Sequence, residues 1–514
     1  MSEINLTVVS PFRIFATSMR LFFFLFISVN LQAQHITQGP VIGAVTSTSA
    51  KMYLRAEQTR SFRVELSATE KFEQVFSFLG TPRAELDNSV IVDLNGLNPN
   101  ITYYYRIYAD EKLDSIDGHF RTFPATGEKG QYVFVTGSCQ ETENMKVFDL
   151  LPKHNPYFML HTGDYTYPDY QIRGDYSADY ATVAYSYHKR YDEKVMKEML
   201  RYVPIDYIYD DNDYVGGGGG RSNKNFFHSV REGPLRVTYT FDEPEFPASW
   251  RRNVIRGYAD FFPGYALPDT LEGIYHSFVL GNAEFFFLDR CSARKYGQSY
   301  AFEYDEKKNK WKFNPPDDHC MFCPKQMEWL KAGLKNSTAD WKFIVSGVPL
   351  NKSLDKLIDA GIKLQRFNMK GYDGIHMAMG FSNYGPGYPV EMNAFYDFLE
   401  KEELRNIIVI SGDTHHNVMD DGENAGLPEL NASGLSVAGT ELAYYMKLIG
   451  ALTGTFNLKK DVWNQGGNGI GNKNFKNAFG KVKIVRDEYV ELSIIDEDDE
   501  VVASFRVMHS SQGR

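Results

Sequence analysis

The sequence has no excess of basic residues. Its 55 Lys and Arg residues are outnumbered by 66 Asp and Glu residues, so the formal net charge is −11. Proteins that bind nucleic acids or anionic membranes in general need a basic face, and this balance argues against both classes. An anionic substrate would have to be attracted by local cations, and bound metal ions are the obvious source of these.

Long apolar runs are also missing, apart from one near the N-terminus. The run at 21–29 follows Arg13 and Arg20 and precedes Ala33, a small residue that suits a cleavage site. It is too short to span a bilayer. We therefore predict a signal peptide at 1–33 and export to the periplasm, the cell surface or the medium. The alternative is a buried strand or helix of the mature fold. No cysteine lies near the cleavage site, which disfavours a lipoprotein anchor.

Two common ligand-binding patterns are incomplete. Cys320 and Cys323 have the spacing of a zinc knuckle, but the sequence has only four cysteines and no second such pair. We interpret these two as structural or as disulfide partners, with zinc as the less favoured alternative. The five-glycine run at 216–220 is not followed by Lys-Ser or Lys-Thr, which excludes a phosphate-binding P-loop.

The composition that is present is that of a globular protein, with 43% hydrophobic and 24% charged residues. The chain of 514 residues is too long for one average domain. Apolar and polar residues alternate with a period of two in four short stretches, at 52–56, 62–66, 90–94 and 103–107. This pattern predicts a small β-sandwich over 35–124. Residues 97–103 are similar to the tyrosine corner of fibronectin type III and related sandwiches.

After a linker at about 123–130, the pattern becomes that of an α/β protein. Apolar strands now alternate with long polar or helical segments. We predict strands at 132–136, 157–160, 205–209, 285–288, 343–346 and 407–410. We predict helices at 325–335 and 391–404, and short antiparallel strands near the C-terminus.

Four of these strands end in residues of the kinds that bind metal ions. The residues are Cys139 after the first strand, Asp164 and Tyr167 after the second, Asp210-Asp211-Asn212-Asp213 after the third, and Asp413 with His415 and His416 after the last. Ligands of open α/β sheets bind at the carboxyl ends of the strands, so we expect these side chains to meet. Each stretch alone has a plain alternative: a core thiol, a Gly-Asp turn or an acidic turn. Their recurrence at four strand ends favours a site.

In this order the sequence resembles the calcineurin-like metallophosphoesterase superfamily, and within it the PhoD-type alkaline phosphatases and phosphodiesterases. The stretches that carry the resemblance are Gly137-Ser138-Cys139, His161-Thr162-Gly163-Asp164-Tyr165-Thr166-Tyr167, Asp210-Asp211-Asn212-Asp213-Tyr214, Leu288-Asp289-Arg290-Cys291-Ser292-Ala293-Arg294, Gln326-Met327-Glu328-Trp329-Leu330 and Gly412-Asp413-Thr414-His415. The resemblance implies an all-β fibronectin-like sandwich at 35–124. It also implies an α/β metallophosphoesterase core at 130–508, with two facing mixed sheets flanked by helices.

The resemblance further implies a metal cluster that binds a phosphate-ester substrate. Fe(III) suits a set of thiolate, carboxylate, phenolate and imidazole ligands, which are Cys139, Asp164, Tyr167 and His415. Ca²⁺ or another divalent metal suits the oxygen donors of Asp211, Asn212 and Asp413, with Asp164 as a bridge. Two metals can clamp a phosphoryl oxygen and activate a water molecule for in-line attack. Arg294 matches a family arginine that could hold a phosphate oxygen, and a structural arginine is the alternative.

Two departures from the family pattern bear on catalysis. Asn212 stands where relatives usually have a histidine, and residues 290–293 differ from the usual run. An amide cannot release a proton near neutral pH, so Asn212 could contribute only a hydrogen bond or a metal ligand, and His161 is a candidate for the missing acid, as are His415 and His416. We predict an exported, metal-dependent phosphoesterase that hydrolyses phosphomono- or phosphodiesters. The alternative is a catalytically weakened surface binding protein built on a phosphatase fold.

Overall fold

The computed structural model describes residues 36–167, 179–214, 226–231, 237–242, 248–295, 298–366, 368–369, 372–436 and 442–510. The predicted signal peptide at 1–33 and the glycine run at 216–220 lie outside the described residues. Within the described ranges, no helix combines the length and the apolar character that crossing a membrane requires.

The N-terminal part forms a sandwich of two antiparallel sheets. Its strands are β1 (Gln38–Gly43), β2 (Ser49–Arg55), β3 (Phe62–Ser67), β4 (Phe76–Gly80), β5 (Ser89–Asn95), β6 (Thr102–Ala109) and β7 (Lys112–Arg121). One sheet has the order β1-β2-β5 and the other β4-β3-β6-β7. Alternate residues of β6 face the core, and the backbone N–H of Asn98 donates to the Tyr103 hydroxyl oxygen at 2.9 Å. The predicted fibronectin-like sandwich and its tyrosine corner are therefore confirmed.

The rest of the chain alternates between strands and helices. The strands are β8 (Gln131–Gly137), β9 (Met159–His161), β10 (Ile205–Tyr207), β11 (Phe226–Arg231), β12 (Val237–Asp242), β13 (His276–Leu280), β14 (Ala283–Leu288), β15 (Phe302–Asp305), β16 (Lys310–Phe313), β17 (Trp341–Ser346), β18 (Asn368–Met369), β19 (Tyr372–Asp373), β20 (Ile407–Ser411), β21 (Asn417–Asp420), β22 (Glu429–Ala432), β23 (Gly466–Gly467), β24 (Ala478–Val485), β25 (Tyr489–Asp496) and β26 (Val501–Met508). The helices are α1 (Met145–Leu150), α2 (Tyr180–Asp192), α3 (Lys194–Met199), α4 (Asp211–Tyr214), α5 (Ala248–Phe261), α6 (Arg290–Ala293), α7 (Cys323–Asn336), α8 (Asp355–Lys363), α9 (Gly374–Phe381), α10 (Pro389–Lys401), α11 (Leu442–Thr453) and α12 (Leu458–Asp461).

Two mixed sheets form the centre of this second part. One has the order β10-β9-β8-β24-β25-β26, and the other β13-β14-β17-β20-β22-β21-β23. Aromatic rings pack between them: Phe134 of β8 lies 5.4 Å from Phe343 of β17, and Phe158 lies 5.5 Å from Phe285 of β14, measured between ring centroids. The predicted core of two facing mixed sheets flanked by helices is confirmed. Strands β8, β9 and β10 are parallel, so their carboxyl ends meet at one edge.

The sandwich and the α/β core share one apolar interior. The ring of Phe123, which follows β7, lies 5.6 Å from Phe158 and 5.7 Å from Phe278. The hydroxyl of Tyr105 donates to the carbonyl of Arg201 at 2.9 Å. The two parts are therefore packed directly against each other.

The cysteines take two forms. Cys320 and Cys323 form a disulfide at the start of α7. Of the alternatives left open by their spacing, which were a structural role, a disulfide and a zinc site, the structure contains the disulfide. Cys139 and Cys291 are free and buried.

A buried ion pair connects the two mixed sheets. Nε2 of His276 in β13 lies 2.8 Å from Oδ2 of Asp206 in β10, and its Nδ1 donates to the Ile274 carbonyl at 2.7 Å. Both ring nitrogens face acceptors, an arrangement that favours the imidazolium form. Its ring stacks on Phe287 at 4.5 Å. Burial alone lowers the pKa of His276, but the charge and hydrogen bond of Asp206 and the Ile274 carbonyl outweigh it, so the pKa is raised from 6.5.

This pair predicts a pH-dependent contribution to stability. Because the pKa of His276 is higher in the folded than in the unfolded protein, its stabilisation is complete below about pH 6.5 and is lost as the pH rises through the folded pKa. We expect His276→Gln to lower the free energy of unfolding by about 3 kcal/mol at pH 6 and by less at alkaline pH. Urea unfolding of both proteins across this range measures the difference.

His119 is a control whose pKa is shifted in the opposite direction, because burial lowers it. His119→Gln should not show a cost that shrinks with rising pH. A His276→Gln cost that stays constant from pH 6 to pH 10 would contradict the imidazolium assignment.

Candidate metal centre

Four loops that follow parallel strands carry the candidate ligands. Cys139 follows β8, Asp164 and Tyr167 follow β9, and Asp211 begins α4, which three residues separate from the end of β10. His415 follows β20 of the facing sheet. These strands are apolar and buried, and polar residues begin where each strand leaves the sheet. The sequence pattern therefore places these side chains close together.

A first group of candidate ligands, the first ligand group, consists of Cys139, Asp164 and His415. One donor atom from each, the thiol sulfur, a carboxylate oxygen and a ring nitrogen, lies within 4.8 Å of the other two. The Tyr167 hydroxyl donates to Oδ2 of Asp164 at 3.4 Å, so the phenol borders the same group. Cys139 and Asp164 are fully buried, and Tyr167 is 5% exposed.

The second ligand group consists of Asp164, Asp210 and Asp211, whose carboxylate oxygens also lie within 4.8 Å of one another. Asp164 is thus common to both groups. The Asn212 side chain contacts the same residue: its Nδ2 donates to Oδ2 of Asp164 at 2.9 Å. If Asn212 is to bind a metal through oxygen, its amide must turn so that Oδ1 takes the place of Nδ2.

Asp413 lies beside these groups rather than within either of them. Its carboxylate accepts a hydrogen bond from Tyr384 and faces the charges of Asp211 and Arg290. Burial first, and then the nearby Asp211, raise the pKa of Asp413 to about 7, against the opposing effects of Arg290 and Tyr384.

The electrostatics of the site favour a bound cation. Burial, followed by the charges of Asp211, Asp213 and Asp413, raises the pKa of Asp164 well above its ordinary value. Burial and the charge of Asp164 likewise raise the pKa of the Cys139 thiol and of the Tyr167 phenol. A cation among them would reverse these shifts, because it favours the ionised forms. The clustered sulfur, nitrogen and oxygen donors therefore fit the metal centre that such a fold implies.

The backbone is left-handed at five of the candidate ligand residues, although not at Asp210, Asp211 or Asn212. The φ angles are 60° at Cys139, 57° at Asp164, 49° at Tyr167, 70° at Asp413 and 52° at His415. For a residue other than glycine, this conformation costs roughly 1–2 kcal/mol. Such strain persists only where the surroundings enforce it, and it concentrates at functional sites.

Asp213 enforces part of this geometry. Its buried carboxylate accepts hydrogen bonds from the backbone N–H groups of Asp164, Tyr165 and Thr166 at 2.7–2.8 Å, and from that of Asp210 at 3.1 Å. It also accepts a hydrogen bond from the Thr166 hydroxyl at 3.1 Å. One side chain therefore ties the loop after β9 to the loop after β10.

Other residues of the site were not assigned a role by sequence reasoning. Asp210 is one of the acids that follow the third predicted strand, but the sequence does not single it out from its acidic neighbours as a ligand. It forms a fully buried ion pair with Arg290 of α6. Oδ1 of Asn383 accepts from Nη1 of Arg290 at 3.3 Å and from Nη1 of Arg294. Nothing local in the sequence marks Asn383 or Tyr384.

The remaining predicted residues lie close to the ligand loops. Arg294 is 1% exposed and shares Asn383 with Arg290. His161 is the last residue of β9, fully buried, with its ring 5.0 Å from the Tyr165 ring in an edge contact, and burial lowers its pKa. His416 bonds through Nε2 to the carbonyl of Asn468 at 2.6 Å, and burial lowers its pKa to about 4.

Comparison with known proteins identifies the family. A model described as PhoD-like phosphatase matches residues 134–446, and one described as PhoD-like phosphatase, N-terminal domain, matches residues 27–124. Alkaline phosphatase D of Bacillus subtilis (strain 168) is 25% identical over 379 residues, which cover 68% of this chain and 57% of that protein. The chain thus matches a little over half the length of this relative.

Two solved structures share the fold. The structure of PhoD has a TM-score of 0.66 at 17% identity and covers 94% of this chain and 92% of its own. Purple acid phosphatase PPD1 from yellow lupin (Lupinus luteus) has a TM-score of 0.53 at 10% identity and covers 92% of this chain and 74% of its own. Because the first family model matches more than half of the chain, this protein belongs to the PhoD-like phosphatase family.

Proposed function

We propose that this protein is an exported, metal-dependent phosphoesterase that hydrolyses phosphomono- or phosphodiesters. The observation that carries the proposal is the presence of two ligand groups that share Asp164. A shared carboxylate between two neighbouring groups of donors suits a pair of metal ions that act on one phosphoryl group. Family membership supports the reaction class.

The donor sets support two different metals. Cys139, Asp164, Tyr167 and His415 would hold Fe(III), since thiolate, phenolate and imidazole favour it. Asp164, Asp211, Asn212 and Asp413 would hold Ca²⁺ or another hard divalent ion, and the position of Asp210 adds a further oxygen donor. When bound, such a pair would supply Lewis acidity to the phosphoryl oxygens and lower the pKa of a nearby water molecule.

The chain's own residues would position the ester. Arg290 and Arg294 are both buried beside the acids, and Asn383 orients both guanidinium groups. Arg294 lies next to the Arg290–Asp210 pair and shares Asn383 with Arg290, so it is our candidate for binding a phosphate oxygen. The Cys320–Cys323 disulfide supports export, because disulfides persist in oxidising compartments.

The proposal predicts a coloured enzyme. Phenolate bound to Fe(III) absorbs visible light, so purified protein should contain iron, show a visible band and hydrolyse aryl phosphates or aryl phosphodiesters. Tyr167→Phe should remove or shift the band. Tyr165→Phe is the matched control, because the Tyr165 hydroxyl has no hydrogen-bond partner among the described residues. A colourless, iron-free and fully active enzyme would refute the iron assignment, and metal-bearing protein without turnover would refute the activity.

Asn212 favours a second candidate function, a weakened surface binding protein. In place of the usual histidine, the amide donates to Asp164 and cannot protonate a leaving group. If the protein is an enzyme without another acid, its rate should fall steeply as the leaving group becomes more basic. We expect Asn212→His to raise turnover of alkyl esters by roughly 100-fold, within the usual range for general acid catalysis.

A leaving-group series on wild type, Asn212→His and Asn212→Ala tests this expectation. The alanine variant removes the hydrogen bond to Asp164 without adding an acid. A wild-type rate that hardly depends on leaving-group pKa, with no gain in the histidine variant, would mean that no acid is missing.

A further inference from the structure

Arg190 lies against the two loops that carry the iron-type ligands. It is in the last turn of α2, and it is 3% exposed. Its guanidinium carbon lies 5.6 Å from the ring centroid of Tyr165 and 5.9 Å from that of Tyr167. The positive charge of Arg190 therefore lies near the first ligand group, on the side where α2 packs.

The two loops already pair with each other through their backbones. The N–H of Cys139 donates to the carbonyl of Gly163 at 3.3 Å, and that of Gln140 donates to the carbonyl of Asp164 at 3.2 Å. Neither the Gln140 carbonyl nor the Tyr165 carbonyl takes part in these two bonds.

Arg190 bonds to both of these carbonyls. Its Nη2 donates to the Gln140 carbonyl at 2.7 Å, and its Nε donates to the Tyr165 carbonyl. Nη1 of Arg190 donates to Oε2 of Glu193 at 2.5 Å. Nε2 of Gln140 donates to the same Glu193 oxygen at 3.2 Å. A planar guanidinium holds its donors at fixed angles, so this arrangement sets the spacing of the two loops, which an ammonium group cannot do.

The strained backbone explains why such a support is needed. Cys139, Asp164 and Tyr167 all have left-handed backbones, and each loop would relax if its neighbours allowed it. We propose that Arg190 and Glu193 form a clamp that positions Cys139 and Asp164 for the metal and so governs how tightly the metal is retained. The clamp rests on the proposed function in that it requires a metal centre. The competing explanation is that Arg190 only fills a buried space in the fold.

The test compares Arg190→Lys with Arg201→Lys. Arg201 is a matched control, because it also bonds to a backbone carbonyl and a carboxylate, in its case those of Asp117, away from the ligand loops. The purified holoenzyme is exposed to EDTA, and the loss of iron is followed by metal analysis and by the visible band. Thermal unfolding of the metal-free proteins is measured in parallel.

We expect Arg190→Lys to lose iron roughly 10- to 100-fold faster than wild type, in line with the loss of metal affinity that usually follows mutation of residues that orient metal ligands. Arg201→Lys should lose iron at the wild-type rate. Glu193→Gln keeps the guanidinium and weakens one contact, so it should lose iron at least about threefold faster, and it carries the test if Arg190→Lys does not fold.

The outcomes separate the clamp from the proposed function. Folded Arg190→Lys that releases iron at the wild-type rate with an unshifted band overturns the clamp and leaves the metal centre intact. The same holds if Arg190→Lys does not fold and Glu193→Gln behaves as wild type. A wild-type protein that holds no metal ion overturns the proposed metal centre, and the clamp with it.

Discussion

Replacing Asp164 with asparagine is expected to abolish turnover and remove both metals while the chain stays folded. Asp164 is the one residue that belongs to both ligand groups, so its charge would serve both of the proposed metals. Asparagine keeps the size of the side chain but removes that charge. Without the metals, the transition state would lose several kcal/mol of stabilisation. This corresponds to a fall in kcat/KM of roughly a thousandfold or more. Metal analysis and hydrolysis of an aryl phosphate measure the two effects.

The same variant has an expected effect of opposite sign on the metal-free protein. Burial and three neighbouring aspartates raise the pKa of Asp164, which means that its charge is unfavourable when no cation is present. Metal-free Asp164→Asn should therefore unfold at a higher temperature than metal-free wild type. Asp421→Asn is the control, because Asp421 accepts hydrogen bonds in a loop outside both ligand groups. A fully active Asp164→Asn enzyme would contradict the assignment of the bridge.

Replacing Arg290 with methionine is expected to cause the largest loss of stability. Arg290 and Asp210 are both fully buried, and removing the cation leaves the carboxylate without a charged partner. Breaking a buried pair in this way costs about 3–5 kcal/mol in the free energy of unfolding. Urea unfolding in EDTA measures this cost without a contribution from metal loss.

A second substitution distinguishes the charge effect from a packing effect. Adding Asp210→Asn to Arg290→Met removes the isolated charge, so the double variant should recover most of the lost free energy. If it recovers none, the cost of losing Arg290 comes from packing and from the hydrogen bond to Asn383, and the ion pair contributes little.

Local patterns were sufficient to predict the parts of the site that lie at strand ends. An apolar run followed by Gly163-Asp164, or by Gly412-Asp413, contains the strand, the turn and the ligand in adjacent positions. The helix predicted at 391–404 is found at Pro389–Lys401, so it begins two residues earlier and ends three residues earlier than predicted. Its earlier start follows from Pro389, because proline is favoured in the first turn of a helix.

Contacts between distant parts of the chain could not be read in the same way. Asp210 meets Arg290 eighty residues later, and Asn383 lies a further 93 residues along the chain from Arg290. The left-handed backbone at Cys139 is equally hidden, since cysteine has no preference for that conformation. The clamp by Arg190 depends on where α2 packs, which is a property of the whole fold.

The left-handed ligand positions have a consequence for how this chain can evolve. Glycine at any of the five would relax the backbone by about 1 kcal/mol and remove a candidate ligand, so under the proposed function the change that raises thermal stability would weaken metal binding. A lineage that no longer needed its metal would drift freely towards glycine at these positions. This chain has a thiol, a phenol, an imidazole and two carboxylates at the five, so each position keeps a side chain that could bind a metal ion.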